Sequence, residues 1–216
     1  MTGPPLVSVI TPTWRRHRVL LDRCIPSVAA QSYPAVEHVV VSDGPDPVLR
    51  GLLDGSPVVY GESGHGGHWG HLARLKGIEM ARGDLIAWLD DDDAWRPDHI
   101  AILAAALGEH PEAGFAWPRM LIGAQDSNAQ RYRDDPEACC GTDAYQSGQV
   151  LTSMIFHRRA VLDVATWGTG TGTPDSDLVT AWAAAGIPYV SVPQVTVWMY
   201  THDAYDHPGE VLLPAF

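Results

Sequence analysis

The fold of this chain is decided by residues 81–97, ARGDLIAWLDDDDAWRP. Gly83 ends a helical pattern that begins near residue 71, and residues 84–89 form a short apolar run typical of a buried strand. Four aspartates follow at once, and Pro97 stands in the first turn of a further helix that extends to about residue 110. A helix, a buried strand, an acidic turn and a second helix therefore follow one another without a linker.

The same alternation continues on both sides of this stretch. Strands are predicted at residues 6–11, 36–42 and 58–61, and a helix at 19–31 with a kink at Pro26. The second half is more irregular: we expect strands at 114–122, 152–156, 188–192 and 195–200, and a short helix at 177–185. Strands that alternate with helices indicate an α/β fold with a doubly wound parallel sheet. No internal repeat or linker is visible, so one domain is predicted.

Composition and charge exclude several functions. The chain has 216 residues, with 14 Lys+Arg against 26 Asp+Glu and a formal net charge of −12. Nucleic-acid and anionic-membrane binders need basic patches, so neither partner is expected. The longest apolar run, residues 100–107, is too short to span a bilayer, and no signal peptide is recognised. With three cysteines and no CxxC, we expect a cytoplasmic protein without a disulfide framework. The oligomeric state is not indicated.

The four aspartates at residues 90–93 could be a solvated acidic loop, but their position favours a site. They follow a buried strand at its carboxyl end, where open α/β sheets bind ligands. Carboxylates without nearby His or Cys suit Mg²⁺ or Mn²⁺, and the spacing of a calcium EF-hand loop is absent. The chain also has no GxxxxGK(S/T) phosphate loop. A cation held by carboxylates could instead bridge a diphosphate and stabilise it as it leaves, which is the chemistry of a nucleotide-sugar donor.

Taken in order, the motifs of this chain resemble those of the family 2 glycosyltransferases of the GT-A fold. They are VSVITPTW (7–14), CIPSVAAQSYP (24–34), VEHVVVSDG (36–44), ARLKGIEMARGDLIAWLDDDDAWRPDHI (73–100), TSMIFHRRAV (152–161), PDSDL (174–178) and VTVWMYTH (195–202). The resemblance implies a single GT-A domain with a Rossmann-like, mainly parallel sheet flanked by helices. Residues 6–110 would be the nucleotide-binding half, 111–203 the acceptor half and 204–216 a tail.

On the donor side, the resemblance implies roles at the ends of the first, second and fourth strands. Thr11 and Pro12 would line the nucleotide pocket, and Asp43 would accept a hydrogen bond from the base. Arg74 would lie near the nucleotide or its diphosphate. Asp90 and Asp91 would hold the ribose, and Asp92 would bind the metal. From the residues alone, Asp43 could equally cap the Asp-Gly-Pro turn.

On the acceptor side, Asp175 would be the general base, with Asp177 as the second choice, and His202 a further metal or phosphate contact. The chain departs from the family pattern at Leu75, Pro174 and Thr201, which replace Asn, Glu and Arg. The Gly/His-rich loop at residues 61–70 is predicted to cover the donor phosphates, with Trp69 as a candidate sugar contact. The acceptor would be chosen by residues 125–148 and 168–172.

The expected activity is metal-dependent, inverting transfer of a sugar from a nucleoside diphosphate, first of all UDP, to an acceptor hydroxyl or amine. The cation would be Mn²⁺ or Mg²⁺, and the acceptor is not identified. One alternative is a sugar-1-phosphate nucleotidyltransferase, which is disfavoured because no glycine lies between Gly3 and Gly44 to form its phosphate loop. The other alternative is a non-catalytic sugar-nucleotide binder, which the loss of the acidic residue before Asp175 would allow.

Overall fold

The computed structural model describes residues 3–122, 139–140, 142–146, 148–168 and 174–200. Within them, the strands are β1 (Val7–Thr13), β2 (Val36–Ser42), β3 (Val59–Glu62), β4 (Leu85–Trp88), β5 (Ala94–Trp95), β6 (Phe115–Ile122), β7 (Cys139–Cys140), β8 (Phe156–Arg158) and β9 (Tyr189–Met199). The α-helices are α1 (His17–Val19), α2 (Ile25–Ala29), α3 (Pro47–Leu53), α4 (His71–Met80), α5 (His99–Glu109) and α6 (Pro174–Ala184).

The strands that the structure describes form one sheet in the order β3-β2-β1-β4-β8-β6-β9-β5, with β7 paired to β6. The first four of these run parallel, with β1 between β2 and β4. β8 pairs antiparallel with both β4 and β6, while β6 and β9 are again parallel. The long pairings are the parallel ones, so the predicted α/β fold with a mainly parallel sheet is confirmed. The antiparallel β8 explains why the second half lacks a regular alternation.

The carboxyl end of β1 is fixed by tight packing of α4 against it. All seven residues of β1 are buried, as expected for a central strand covered on both faces. α4 approaches the strand at Gly77, where an added Cβ would lie 2.3 Å from Cγ2 of Ile10. Only glycine permits this approach, because any side chain would push the helix away from the sheet. The contact holds Arg74, one turn earlier on α4, beside the ends of β1 and β4.

The helix predicted at residues 19–31 is present but begins earlier and is interrupted. α1 leads into a π-turn, Leu20–Cys24, which leads into α2. Pro26 lies in the first turn of α2 and has no N–H to donate to the preceding turn. A wider turn just before it accommodates the loss, so the predicted kink at Pro26 takes the form of a π-turn.

The structure differs from the predicted secondary structure in three places. Residues 152–156 are not a strand: Thr152–Met154 form a 3₁₀ turn, and β8 starts only at Phe156. Thr152 and Ser153 instead form hydrogen bonds with acidic side chains. Strand propensity is a local property and does not account for such tertiary contacts. Second, β9 is one continuous strand where two were predicted, with an irregular register near Pro193. Third, α3 was missed, although Asp46 caps it by accepting from the Leu49 N–H at 2.9 Å.

None of the helices in the described ranges is both long and apolar enough to cross a membrane.

Candidate active site

The four aspartates form a tight turn at the end of β4, and their side chains point in different directions. The Asp93 N–H donates to the Asp90 carbonyl at 3.1 Å, which closes the turn. Because the chain reverses within four residues, Asp90 faces α4, Asp91 and Asp92 face the β1–α1 segment, and Asp93 faces the 3₁₀ turn at residues 152–154. One short acidic segment therefore contacts both halves of the chain.

Asp91 and Asp92 share one arginine. The Thr13 hydroxyl donates to Asp91 Oδ2 at 2.6 Å, and Nη1 of Arg16 lies 3.1 Å from Asp91 Oδ1 and 2.7 Å from Asp92 Oδ2. Nη1 of Arg23 donates to the Asp92 backbone carbonyl at 3.0 Å. The two carboxylates are thus held side by side by a guanidinium whose side chain is 40% exposed.

Asp90 is paired with Arg74, the other residue predicted for the donor side that lies close to it. Nη2 of Arg74 donates to Asp90 Oδ1 at 2.7 Å, and its Nη1 donates to the Trp69 carbonyl. The guanidinium also lies 4.5 Å from the centre of the Trp167 ring, a cation–π arrangement. Arg74 is buried, and among the described residues its Nε has no hydrogen-bond partner. These contacts fix the guanidinium between Asp90 and Trp69 in the first half of the chain and Trp167 in the second half.

Burial and mutual repulsion raise the pKa values of three aspartates in the turn. Burial, together with repulsion from Asp92 and Asp91, raises the pKa of Asp90 to about 7 despite the opposing charge of Arg74. Burial and Asp92 likewise raise the pKa of Asp91 to about 6. The pKa of Asp93 lies well above its usual range, mainly because the carboxyl is buried. The ionised form of these carboxyls is therefore disfavoured by burial and by their neighbours, and a cation bound beside them would favour that form.

Asp43 lies at the end of β2 and holds the Gly/His-rich loop. Its Oδ1 accepts from the Gly66 N–H at 2.9 Å and its Oδ2 from the Gly67 N–H at 3.1 Å. The His65 ring contacts the Asp43 carbonyl at 2.8 Å and stacks on Trp14 with ring centres 4.4 Å apart. Asp43 itself is 4% exposed. In this conformation the loop covers the carboxylate that was predicted to recognise the base.

The other two residues predicted for the nucleotide pocket are buried. The Thr11 hydroxyl lies 3.0 Å from Nε2 of His38 and 3.6 Å from Sγ of Cys24, inside the core. Pro12 is close to Gly70, where an added Cβ would lie 3.3 Å from Cβ of Pro12 and 3.6 Å from Nη1 of Arg74. The hydroxyl of β1 that reaches the aspartates is that of Thr13, which the sequence analysis did not name.

Asp175 joins the site from the first turn of α6. Its Oδ2 accepts from the Thr152 N–H at 3.1 Å and from the Thr152 hydroxyl at 3.4 Å, and its Oδ1 accepts from the Ser176 N–H at 2.8 Å. The charge of Asp175 contributes to the raised pKa of Asp90, so the two carboxylates lie within electrostatic reach. Asp177 lies in the same helical turn as Asp175, and its side chain is exposed. His202 lies outside the described residues, as do Thr201 and most of the predicted acceptor segments.

Several residues of the site had weak sequence signals. Arg16 belongs to the basic stretch at residues 15–18, which gives no indication of which side chain turns inward. Thr13 lies two residues after Thr11, so period-two alternation puts both on one face. Asp93 is the fourth member of the run, and its contact with Ser153 is visible in the structure but not in the sequence.

The chemistry of these side chains fits a hard divalent cation that is partly held by its ligand. Asp92, which lies beside Asp91, offers oxygen donors only, and these suit Mg²⁺ or Mn²⁺. Within the described ranges no group of three His, Cys, Asp or Glu residues could hold a metal alone. Mg²⁺ in such sites is commonly bound by one or two carboxylates and completed by substrate phosphates and water. The residues therefore fit a cation that binds together with a diphosphate.

The raised pKa values predict a pH-dependent gain in stability for Asp92→Asn. Asp90 and Asp91 titrate higher in the folded chain than at their usual value near 4, so the stability they contribute is present at low pH and is lost as the pH rises through about 6 and 7. Removing the Asp92 charge relieves this repulsion. We expect a gain of about 1 kcal/mol near pH 8, or roughly 2–4 °C in Tm.

Thermal unfolding of both proteins without added cation, at pH values between about 8 and 5.5, checks this prediction. The difference in Tm should shrink as Asp90 and then Asp91 become protonated. A difference that is constant across this range, or that grows toward acid, would contradict the proposed repulsion.

Comparison with known proteins places this geometry in a family. The model of the family described as glycosyl transferase family 2 matches residues 8–164. The chain is 30% identical over 186 residues to the Bacillus subtilis (strain 168) protein named "Putative teichuronic acid biosynthesis glycosyltransferase TuaG", with 76% of this chain and 71% of that protein aligned.

Solved structures show the same fold at low sequence identity. The Pyrobaculum calidifontis mannosyltransferase PcManGT, in complex with GDP-Man and Mn²⁺, has a TM-score of 0.64 at 20% identity and aligns with 91% of this chain. S. aureus TarS 1-349 in complex with UDP-GlcNAc has a TM-score of 0.62 at 17% identity and aligns with 95%. The alignments cover 57% and 60% of those two chains, so this chain spans only part of their length. On the family match and this shared fold, the chain belongs to glycosyl transferase family 2 and is a glycosyltransferase of the GT-A fold.

Proposed function

We propose that this glycosyltransferase moves a sugar from a nucleoside diphosphate, in the first place UDP, to a hydroxyl or amine of an acceptor with inversion at the anomeric carbon. One observation carries the proposal. Two acidic groups more than 80 residues apart in sequence, the run at residues 90–93 and Asp175, are joined through the adjacent residues Thr152 and Ser153. This link supports the proposal, because a displacement reaction requires a donor site and a base next to each other.

On the donor side, we assign Asp90 and Asp91 to the ribose, Asp92 to Mn²⁺ or Mg²⁺, and Arg74 to the diphosphate region. A divalent cation bound at Asp92 would neutralise the negative charge that develops on the departing diphosphate. Arg74 supplies a fixed positive charge in the same region because Asp90 and Trp167 restrain its guanidinium. That one structural neighbour was solved with GDP-Man and Mn²⁺ and another with UDP-GlcNAc supports a nucleotide-sugar donor, and leaves UDP and GDP to be distinguished by experiment.

On the acceptor side, Asp175 would accept the proton of the attacking hydroxyl or amine. Its carboxylate is oriented by the N–H groups of Thr152 and Ser176 and keeps lone pairs for a further hydrogen bond. The proton moves to Asp175 as the acceptor oxygen or nitrogen bonds to the anomeric carbon and the bond to the diphosphate breaks. Residues 111–203 would form the acceptor half of one GT-A domain, with the donor half at residues 6–110.

Thermal unfolding with UDP, GDP and dTDP, each with and without Mn²⁺, tests the proposed donor. A ligand at about 100 times its Kd adds about 2.7 kcal/mol, which corresponds to roughly 5–10 °C at this size. We expect the largest shift with UDP and Mn²⁺ together. A sugar-nucleotide binder without activity would show this shift but release no nucleoside diphosphate from a donor sugar, whereas no shift with any nucleotide would refute a nucleotide-sugar donor.

Asp43 is proposed to recognise the base once the loop at residues 65–67 has moved. We expect Asp43→Ala to weaken UDP binding by about 10- to 150-fold with little change in kcat, because a hydrogen bond to a charged group contributes about 1.5–3 kcal/mol. Calorimetric titration of UDP in the presence of Mn²⁺ gives the affinity directly.

The control for this prediction is His65→Ala, which removes a loop contact to Asp43 but keeps the carboxylate. This variant should retain the wild-type affinity or bind UDP more tightly, since the loop that covers Asp43 is loosened. An unchanged Kd in Asp43→Ala would mean that Asp43 only anchors the loop through Gly66 and Gly67.

A further inference from the structure

The 3₁₀ turn Thr152–Met154 lies between the two acidic parts of the site and contacts both. The Ser153 hydroxyl donates to Asp93 Oδ2 at 2.5 Å and accepts from the Asp90 N–H at 3.1 Å. The neighbouring Thr152 donates through its N–H and its hydroxyl to Asp175 Oδ2. Two consecutive residues thus hold carboxylates that arrive from β4 and from α6.

The turn itself is held rigidly. The Ser153 carbonyl accepts from Nε1 of Trp95 at 2.9 Å, and the Ile155 carbonyl accepts from the Trp88 N–H at 3.2 Å. Ser153 is 1% exposed and Thr152 6% exposed. Because the middle residue of the turn and the residue that follows it are bonded to buried tryptophans of the β4–β5 region, a shift of one carboxylate relative to the other would break several buried hydrogen bonds at once.

We propose that Thr152 and Ser153 are positioning residues that set the separation between the donor-side aspartates and Asp175. Ser153 contacts Asp90 and Asp93 and would therefore affect donor binding. Thr152 contacts Asp175 and would therefore affect the proton transfer. This inference rests on the proposed function, because it assigns the two residues to the two sides of the same displacement reaction. A serine and a threonine suit this task, since their hydroxyls donate to carboxylates without adding charge.

The inference predicts a division of kinetic effects between two adjacent residues. Ser153→Ala should raise the donor KM about 10-fold or more, because partners that orient ligand-binding groups typically contribute 10- to 100-fold. Thr152→Val keeps the shape and the backbone N–H but loses the hydroxyl, and should lower kcat several-fold with an unchanged donor KM. Thr152→Ser restores the hydroxyl and should restore kcat. A role in folding alone would not divide KM and kcat in this way.

Ser8→Ala is a matched control for Ser153→Ala. The Ser8 hydroxyl is also buried, donates to a carboxylate (Glu37 Oε1, 2.6 Å) and accepts from a backbone N–H (Gly83, 2.8 Å), but it lies near the opposite end of β1 from the site. Both alanine variants should therefore lower Tm to a similar extent. Only Ser153→Ala should change the donor KM.

Hydrolysis of UDP-GlcNAc and of GDP-mannose in the presence of Mn²⁺ is measured by the UDP or GDP that is released. The affinities for UDP and GDP are measured by calorimetric titration. If wild-type protein binds and cleaves a donor while the Ser153 and Thr152 variants keep wild-type KM and kcat, the positioning role is refuted and the proposed function stands. The same conclusion follows if Ser153→Ala and Ser8→Ala have equal kinetic effects. If wild-type protein neither binds the nucleotides nor cleaves the donors, the proposed function itself fails.

Discussion

Replacing Asp175 with asparagine is expected to lower kcat by about 10²–10⁴ while the donor KM stays near the wild-type value. Loss of a general base typically has an effect of this size. Asn keeps the side-chain shape and a carbonyl oxygen for the Thr152 N–H and loses the acceptor for the adjacent Ser176 N–H, so the fold should persist. Donor affinity should hardly change if Asp175 acts on the acceptor, as proposed. Steady-state rates with the donor that gives the largest thermal shift check both parameters.

Asp177→Asn is the matched control, since Asp177 lies in the same helical turn, carries the same charge and is exposed. It should retain most of the activity. If instead Asp177→Asn loses activity and Asp175→Asn does not, the base is Asp177. If both variants remain active, proton removal does not depend on this segment, and the assignment made by family resemblance fails at Pro174, where the acidic partner is absent.

The second large effect is expected for Asp92→Ala, which should lower turnover by at least about 10³-fold. A divalent cation contributes several kcal/mol of transition-state stabilisation, and each 1.4 kcal/mol is a factor of ten in rate. The protein should remain folded, because one charge is removed from a cluster in which burial, together with repulsion from Asp92, raises the pKa of three neighbours. Rates at increasing Mn²⁺ concentration, with Tm as the test of folding, measure the effect.

Asp22→Ala controls for the loss of one negative charge, because Asp22 is exposed and pairs with Arg18 on the surface. Its rate and its Mn²⁺ dependence should match those of the wild type. Wild-type turnover that persists undiminished in excess chelator would remove the cation from the mechanism, and Asp92 would then be a structural partner of Arg16.

The first half of the chain could be predicted closely because local signals and tertiary structure agree there. β2 has the predicted bounds, residues 36–42, and the apolar run before the aspartates is the buried strand β4. α3 was missed although Asp46 and Pro47 carry its start signal, because the preceding Asp-Gly-Pro was interpreted as a simple turn. Here the sequence contains the information, and the error lies in its interpretation.

The second half of the chain could not be predicted from local patterns. Thr152 and Ser153 follow apolar residues and resemble the beginning of a strand, but hydrogen bonds to three aspartates turn them into a 3₁₀ turn. Asp91 and Asp92 likewise share Arg16, which lies 75 and 76 positions before them in the sequence. Contacts of this kind depend on the order of strands in the sheet, which neither periodicity nor composition specifies.

The aspartates at residues 90–93 and Asp175 are proposed to form one site that cleaves a nucleotide sugar. The most direct test is the release of nucleoside diphosphate from UDP-GlcNAc, UDP-glucose and GDP-mannose in the presence of Mn²⁺, compared among the wild type, Asp92→Ala and Asp175→Asn. We predict slow release from at least one donor by the wild type, lost in chelator and in both variants. Release that is equal in all three proteins, or absent from the wild type with every donor, would contradict the claim.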